Sequence, residues 1–164
     1  MRSRMLVILA LVALAAPAAV SAQEYGDGVG IGGVFLPSGS TTLVGKTRIG
    51  DEVGIEVELA FATEDDDRGS ETDFGLGVGL LKYWNAGNEV QPFVGGRVGV
   101  GYVSYDYGEQ GGEGDDTDFV LAAVLGAEYF VNRRLSIEGE ADLRLVFGSF
   151  GMSTGTRLGA FLYL

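Results

Sequence analysis

The chain alternates. Val53, Ile55, Val57, Leu59 and Phe61 interleave with Gly54, Glu56, Glu58, Ala60 and Ala62. A period of two marks a strand whose faces meet different surroundings. The same pattern predicts strands over 25–36, 41–49, 53–63, 73–84, 90–105, 117–131, 135–147 and 153–164. No stretch after residue 22 offers a competing helical period. The run at 135–147 is the clearest. Leu135, Ile137, Ala141, Leu143, Leu145 and Phe147 lie on one face, and Ser136, Glu138, Glu140, Asp142 and Arg144 on the other.

Short connections at 50–52, 85–89 and 132–134 alternate with longer ones, of which 64–72 and 106–116 are the largest. An even number of strands with one plain and one elaborated rim predicts an all-β fold, an eight-stranded antiparallel up-and-down barrel.

Which face is inside follows from two features. Phe35, Phe61, Phe74, Tyr102, Phe119 and Phe147 sit on the apolar face at the long-connection end. Tyr25, Trp84 and Tyr129 sit at the other end, and the pairs Tyr25/Phe35, Phe74/Trp84 and Phe119/Tyr129 are each ten residues apart. Ten residues at about 3.3 Å, tilted by about 40°, rise roughly 25 Å, the height of the lipid-facing band of a transmembrane barrel between its aromatic girdles. The opposite face carries Lys46, Arg48, Arg97, Arg144 and Arg157 against Glu56, Glu58, Glu128, Glu138, Glu140 and Asp142. A near balance suits a narrow interior, where unpaired charge is costly. The apolar face is therefore expected outside and the charges in the lumen, with Lys46 opposite Glu56 if Ile49 and Val53 flank the first turn. The competing arrangement, a soluble periplasmic lipocalin-like ligand-binding barrel with its apolar face inward, leaves the two aromatic rows without a cause.

Composition sharpens the setting. Arg2 and Arg4, an apolar run from Met5 to Ala16, Pro17 and the Val20-Ser21-Ala22 site read as a cleaved signal peptide over 1–22, leaving 23–164 as the barrel. Losing those two arginines moves the net charge from −12 to −14. Such acidity argues against a nucleic-acid partner. The chain has neither Cys nor His, which removes disulfides, lipid attachment at cysteine, His-dependent triads and His metal sites. No cofactor is expected. Twelve of the 23 acidic residues fall in segments 64–73 and 106–118. Those segments suit either a solvated, self-repelling rim or carboxylate binding of Ca²⁺ or Mg²⁺, shared with lipopolysaccharide phosphates.

Two motifs are decoys. Gly28-x-Gly30-x-x-Gly33 lies on the first strand with no strand before it and no helix after it. Gly45-Lys46-Thr47 lacks the correctly spaced first glycine and a following helix. The carboxylates Glu138/Glu140 and Glu128/Asp142 could be taken for acid/base pairs, but a closed lumen gives them no substrate.

The segments 91–105 (QPFVGGRVGVGYVSY), 125–145 (LGAEYFVNRRLSIEGEADLRL) and 156–164 (TRLGAFLYL) resemble the small eight-stranded outer-membrane barrels, the family of the OmpA transmembrane domain, OmpX and the opacity-type surface proteins. The resemblance covers the whole of 23–164. It implies an integral barrel in the bacterial outer membrane, monomeric, inserted by the assembly machinery and surrounded by lipid and lipopolysaccharide. The family usually ends in an outward aromatic, where this chain has Leu164. No peptidoglycan-binding domain is expected after the barrel, so the resemblance does not imply a tethering role, and the histidine used by related lipid A deacylases is missing from the sequence. The expected function is a non-enzymatic structural or envelope role. The alternative within the family is adhesion through segments 64–73 and 106–118.

Overall fold

The computed structural model describes residues 26, 28–36, 41–50, 52–66, 69–106, 113–148 and 150–164. Eight strands follow one another: β1 (Val29–Phe35), β2 (Thr41–Ile49), β3 (Val53–Asp66), β4 (Gly69–Tyr83), β5 (Val90–Asp106), β6 (Glu113–Phe130), β7 (Leu135–Phe147) and β8 (Gly151–Tyr163). Each pairs antiparallel with the next, and β8 returns to β1, closing the barrel. Closure leaves no edge strand with unpaired amides, which a bilayer would penalise heavily.

Turn chemistry fixes the short rim. Gly50 (φ 66°), Asn85 (57°) and Gly87 (84°) take the left-handed backbone that tight turns demand. At the third short turn, the Asn132 side-chain oxygen accepts hydrogen bonds from the amides of Arg134 and Leu135 at 2.9 Å. Ile49 pairs with Val53 and places Lys46 directly across from Glu56, the predicted register.

The expected segments 41–49 and 135–147 match β2 and β7. The segments expected to be long connections differ. β3 and β4 stay paired out to Asp66 and Gly69, and β5 and β6 out to Asp106 and Glu113. Most of 64–73 and 106–118 is thus ladder rather than loop. At a rim where both faces are wet, a strand needs no apolar face, only its backbone pairing, and pairs such as Thr63 with Thr72 favour it. Strand lengths are consequently unequal. β5 and β6 pair over seventeen positions. β1, the shortest strand, pairs with β8 over six.

Burial settles which face is inside. Leu80, Val98, Leu125 and Leu158 on the outer surface are 59%, 58%, 61% and 64% exposed. Lys46, Glu56, Arg97, Glu128, Glu138, Glu140, Asp142 and Arg157 are buried in the interior. That inverts the arrangement of a water-soluble protein.

Candidate functional site

The interior is stratified. At the short-turn end it is an apolar and aromatic plug. Tyr83 and Phe93 tilt against each other with centroids 5.4 Å apart, as do Phe130 and Tyr163 at 5.3 Å. Leu81 and Val124 pack with the first pair, and Val34, Val44 and Phe161 with the second. The bulk fits because small residues face it. A methyl placed on Gly126 would lie 2.5 Å from the Phe93 ring, and one on Gly54 would lie 2.7 Å from Tyr83. These rings were not singled out as interior by the alternation reading. Their clustering at one end of the polar face (Tyr83, Phe93, Phe130, Phe161, Tyr163) is the signal that marks them.

Above the plug lies the first charged layer. Lys46 Nζ bridges Glu138 at 2.8 Å and Glu128 at 2.9 Å, and stands 3.6 Å from the centroid of Phe161. Glu128 also accepts hydrogen bonds from Ser136 and, at 2.8 Å, from Tyr163 Oη. The expected Lys46–Glu56 pair is therefore not formed. Their backbones are opposite in the wall, but the long lysine side chain crosses the lumen to β6 and β7, where two carboxylates and a ring receive it. Arg48 donates to Gln91 and lies 4.3 Å over the Tyr83 ring.

The second layer is centred on Arg97. Its Nε and Nη2 donate to Glu56 at 3.0 and 2.7 Å, Nη2 and Nη1 reach Glu140, and Glu58 lies 3.0 Å away. Arg157 bridges Glu140 at 2.6 Å and Glu58 at 2.9 Å. Two guanidiniums thus hold three carboxylates. Buried charge is sustainable only when it is multiply bonded in this way. Opposite Arg97 stands Gly79, whose missing side chain leaves room for the guanidinium stem.

Outward of this layer the lumen opens. A cavity of about 470 Å³ is walled by small residues such as Ala60, Gly75, Gly99, Gly101 and Ala122, with Arg97, Arg157, Asp142 and Arg144 among its lining. Arg144 Nη2 donates to Asp142 Oδ2 at 2.6 Å.

The outer surface carries the aromatic rows. Phe61, Phe74 and Tyr102 stand directly across from one another on β3, β4 and β5, and Phe119 faces Phe147 across β6 and β7. With Phe35, all six are exposed at the long-hairpin end. Trp84 and Tyr129 are exposed at the short-turn end, and Tyr25 lies outside the described residues. Between the rows most outward side chains are apolar, among them Leu76, Val78, Leu80, Val98, Leu121 and Leu125, with Thr154 and Thr156 on β8 and Lys82 next to Trp84 among the exceptions.

A closed antiparallel barrel with an apolar exterior, aromatic rows at its ends and an ion-paired interior defines an outer-membrane class of protein. The chain belongs to the outer membrane protein β-barrel domain family, whose profile matches residues 6–156. It is a bacterial outer-membrane barrel. Among solved structures it is similar to Neisserial surface protein A, at 15% identity and a TM-score of 0.60, covering 83% of this chain and 93% of that one. It is also similar to Ail, the attachment invasion locus protein of Yersinia pestis, at 14% identity and a TM-score of 0.53, covering 84% and 94%. The N-terminal β-barrel domain of Pseudomonas aeruginosa OprF is comparable, at 14% and 0.53, covering 83% and 95%. These likenesses show the shared fold. No curated protein matches the sequence.

Proposed function

We propose that this chain is a non-enzymatic structural barrel of the outer membrane that contributes to envelope integrity. The observation that carries the reading is the lumen. Its inner end is packed with rings and its middle is locked by ion pairs, so the fold's polar groups serve one another rather than a translocated solute or a substrate. The residues Lys46, Arg48, Glu56, Glu58, Arg97, Glu128, Glu138, Glu140, Asp142, Arg144 and Arg157 act as this polar core. The aromatic rows set the bilayer boundaries, with lipid and lipopolysaccharide against the apolar belt. Residues 1–22 act as the export signal, and the outer-membrane assembly machinery inserts a monomer.

The second reading is adhesion. It is favoured by the two long paired hairpins, β3–β4 and β5–β6, which carry acidic residues past the outer aromatic row, and by the similarity in fold to a protein named for attachment. One experiment separates the two. A deletion strain is complemented with the full chain, or with a form whose hairpins beyond the aromatic row are replaced by short Gly/Ser turns. Resistance to detergent restored equally by both supports the envelope role. A deletion that leaves detergent resistance unchanged, with cell binding lost in the shortened form, supports adhesion and refutes the envelope role as the main one.

A further inference from the structure

The outer cavity has a side opening. β1 and β2 stop pairing at Phe35 and Thr41, while the flanking strands run on. Among the described residues, Gly151–Arg157 of β8 pairs with β7 alone, and Phe61–Asp66 of β3 pairs with β4 alone. Only four residues join Leu36 to Thr41, too few to line both flanks over that length. The registers give the depth of the opening. Followed once around the wall from Leu162, through Ile31, Gly45, Val57, Val78, Val98, Leu121 and Leu145, the pairing returns to β8 at Met152, ten residues further out. At about 3.3 Å per residue and about 4.8 Å between strands, that stagger tilts the strands by about 40°. A residue then rises about 2.5 Å, and a step to the next strand about 3 Å. Phe35 therefore lies about 6 Å below Phe61 and about 14 Å below Phe147, within the apolar belt and about level with Arg97. The opening, about 14 Å across from β8 to β3, joins the cavity to the outer leaflet directly above the Arg97 layer.

One cation in the cavity is underused. Arg97 holds three carboxylates and Arg157 two. Arg144 holds one, that of Asp142, whose side chain is 2% exposed against 29% for Arg144. A guanidinium is rich in N–H donors, and Nε and Nη1 of Arg144 meet no acceptor among the described residues. Ser153, directly across from it on β8, is exposed on the lumen side. Much of the remaining wall is small and apolar, with Gly75, Gly99, Gly101, Val120 and Ala122. An anion that arrives through hydrocarbon must carry an alkyl chain, because a bare one stays in water.

We infer that this vestibule binds a long-chain carboxylate, with its carboxylate on Arg144 and Ser153 and its alkyl chain leaving through the side opening into the outer leaflet. The site goes beyond the structural role proposed above and does not rest on it. The ion-paired layer below stops the ligand, so the vestibule is a binding pocket and not a passage.

The test uses the protein recovered from outer membranes and reconstituted in phosphatidylcholine vesicles. The probe is palmitic acid bearing a photoactivatable diazirine close to its carboxyl group, and adducts are mapped by mass spectrometry. β6 supplies the readout. Ala122, directly across from Arg144, and Val120 face the lumen, whereas Leu121 faces lipid. Adducts are expected on all three, and the methyl ester of the probe should label Leu121 alone. Arg144→Gln should lose the Val120 and Ala122 adducts and keep that of Leu121. Gly101→Leu should do the same by filling the cavity. A methyl at Gly101 meets nothing within 4 Å, so this variant should retain the heat-sensitive gel mobility of a folded barrel and decides the matter even if Arg144→Gln does not fold. Three results overturn the site: adducts of the acid on Leu121 alone, which means water fills the cavity; lumen adducts from the ester as strong as from the acid; or lumen adducts that survive Gly101→Leu. Stronger lumen labelling by a hexadecyl phosphate bearing the same diazirine would overturn the carboxylate assignment.

Discussion

Lys46→Met isolates the cost of the inner charged layer. The substitution keeps most of the side-chain volume against Phe161 but removes an ammonium held at 2.8 and 2.9 Å by two carboxylates. The partners are left in different states. Glu128 keeps donors from Ser136 and Tyr163. Glu138, 3% exposed, has Lys46 as its one hydrogen-bond donor among the described residues, so it becomes a buried, unpaired charge. Breaking a buried pair from one side costs about 3–5 kcal/mol. Most of that is the penalty on the stranded carboxylate, so Lys46→Met with Glu138→Gln should recover about 2 kcal/mol or more, although it lacks both charges. The assay is equilibrium denaturant unfolding of the refolded barrel. Trp84 serves as reporter, being the single tryptophan in the chain and lying on the outer surface. A loss below about 1 kcal/mol for Lys46→Met, the scale of an exposed pair, would refute the reasoning. So would a double variant no more stable than the single one.

Leu125 points outward between Val94 and Ala141, so Leu125→Arg should cost about 2–4 kcal/mol when folding is measured in lipid vesicles; an unchanged stability there would argue that this face never meets lipid. Gly126→Ala places a methyl 2.5 Å from the Phe93 ring and 2.6 Å from the Gly139 carbonyl oxygen. Its cost of about 1–3 kcal/mol should be relieved only in part by Phe93→Leu, because the backbone contact remains. Single-channel recording of the wild type should show no discrete conductance steps, and steps that respond to Arg97→Ala would contradict the closed interior.

How much of this was legible before the structure depended on what each feature rests on. Period-two alternation depends only on local geometry, so β2 and β7 were readable residue by residue, and the tight turn after Ile49 carried the Lys46–Glu56 register with it. The partners of Lys46 were not readable. Which side chains meet across a lumen depends on barrel stagger and side-chain reach, neither of which a linear pattern encodes. The acidic hairpins misled for another reason. Asp, Glu and Gly signal turns when a strand needs an apolar face, and at a wet rim it needs none. The cavity was invisible because small residues such as Gly99 and Gly101 look alike whether they make room for a neighbour or leave a void. Gly79 does the first and Gly101 the second.

The unequal ladders have a mechanical consequence. A closed barrel is as strong as its least-stitched joint, and here the β1–β8 joint has six paired positions against seventeen for β5–β6. β1 also contains Gly30, Gly32 and Gly33, which contribute little side-chain packing to hold it. Heat or force should therefore part this barrel like a cylinder slit along one line, with the first and last strands separating while β3–β6 stay together. Amide exchange should record that order, fastest at Ile31 and Gly33 and slowest along β5, and a barrel that exchanged evenly around its circumference would show the joint to be no weaker than the rest.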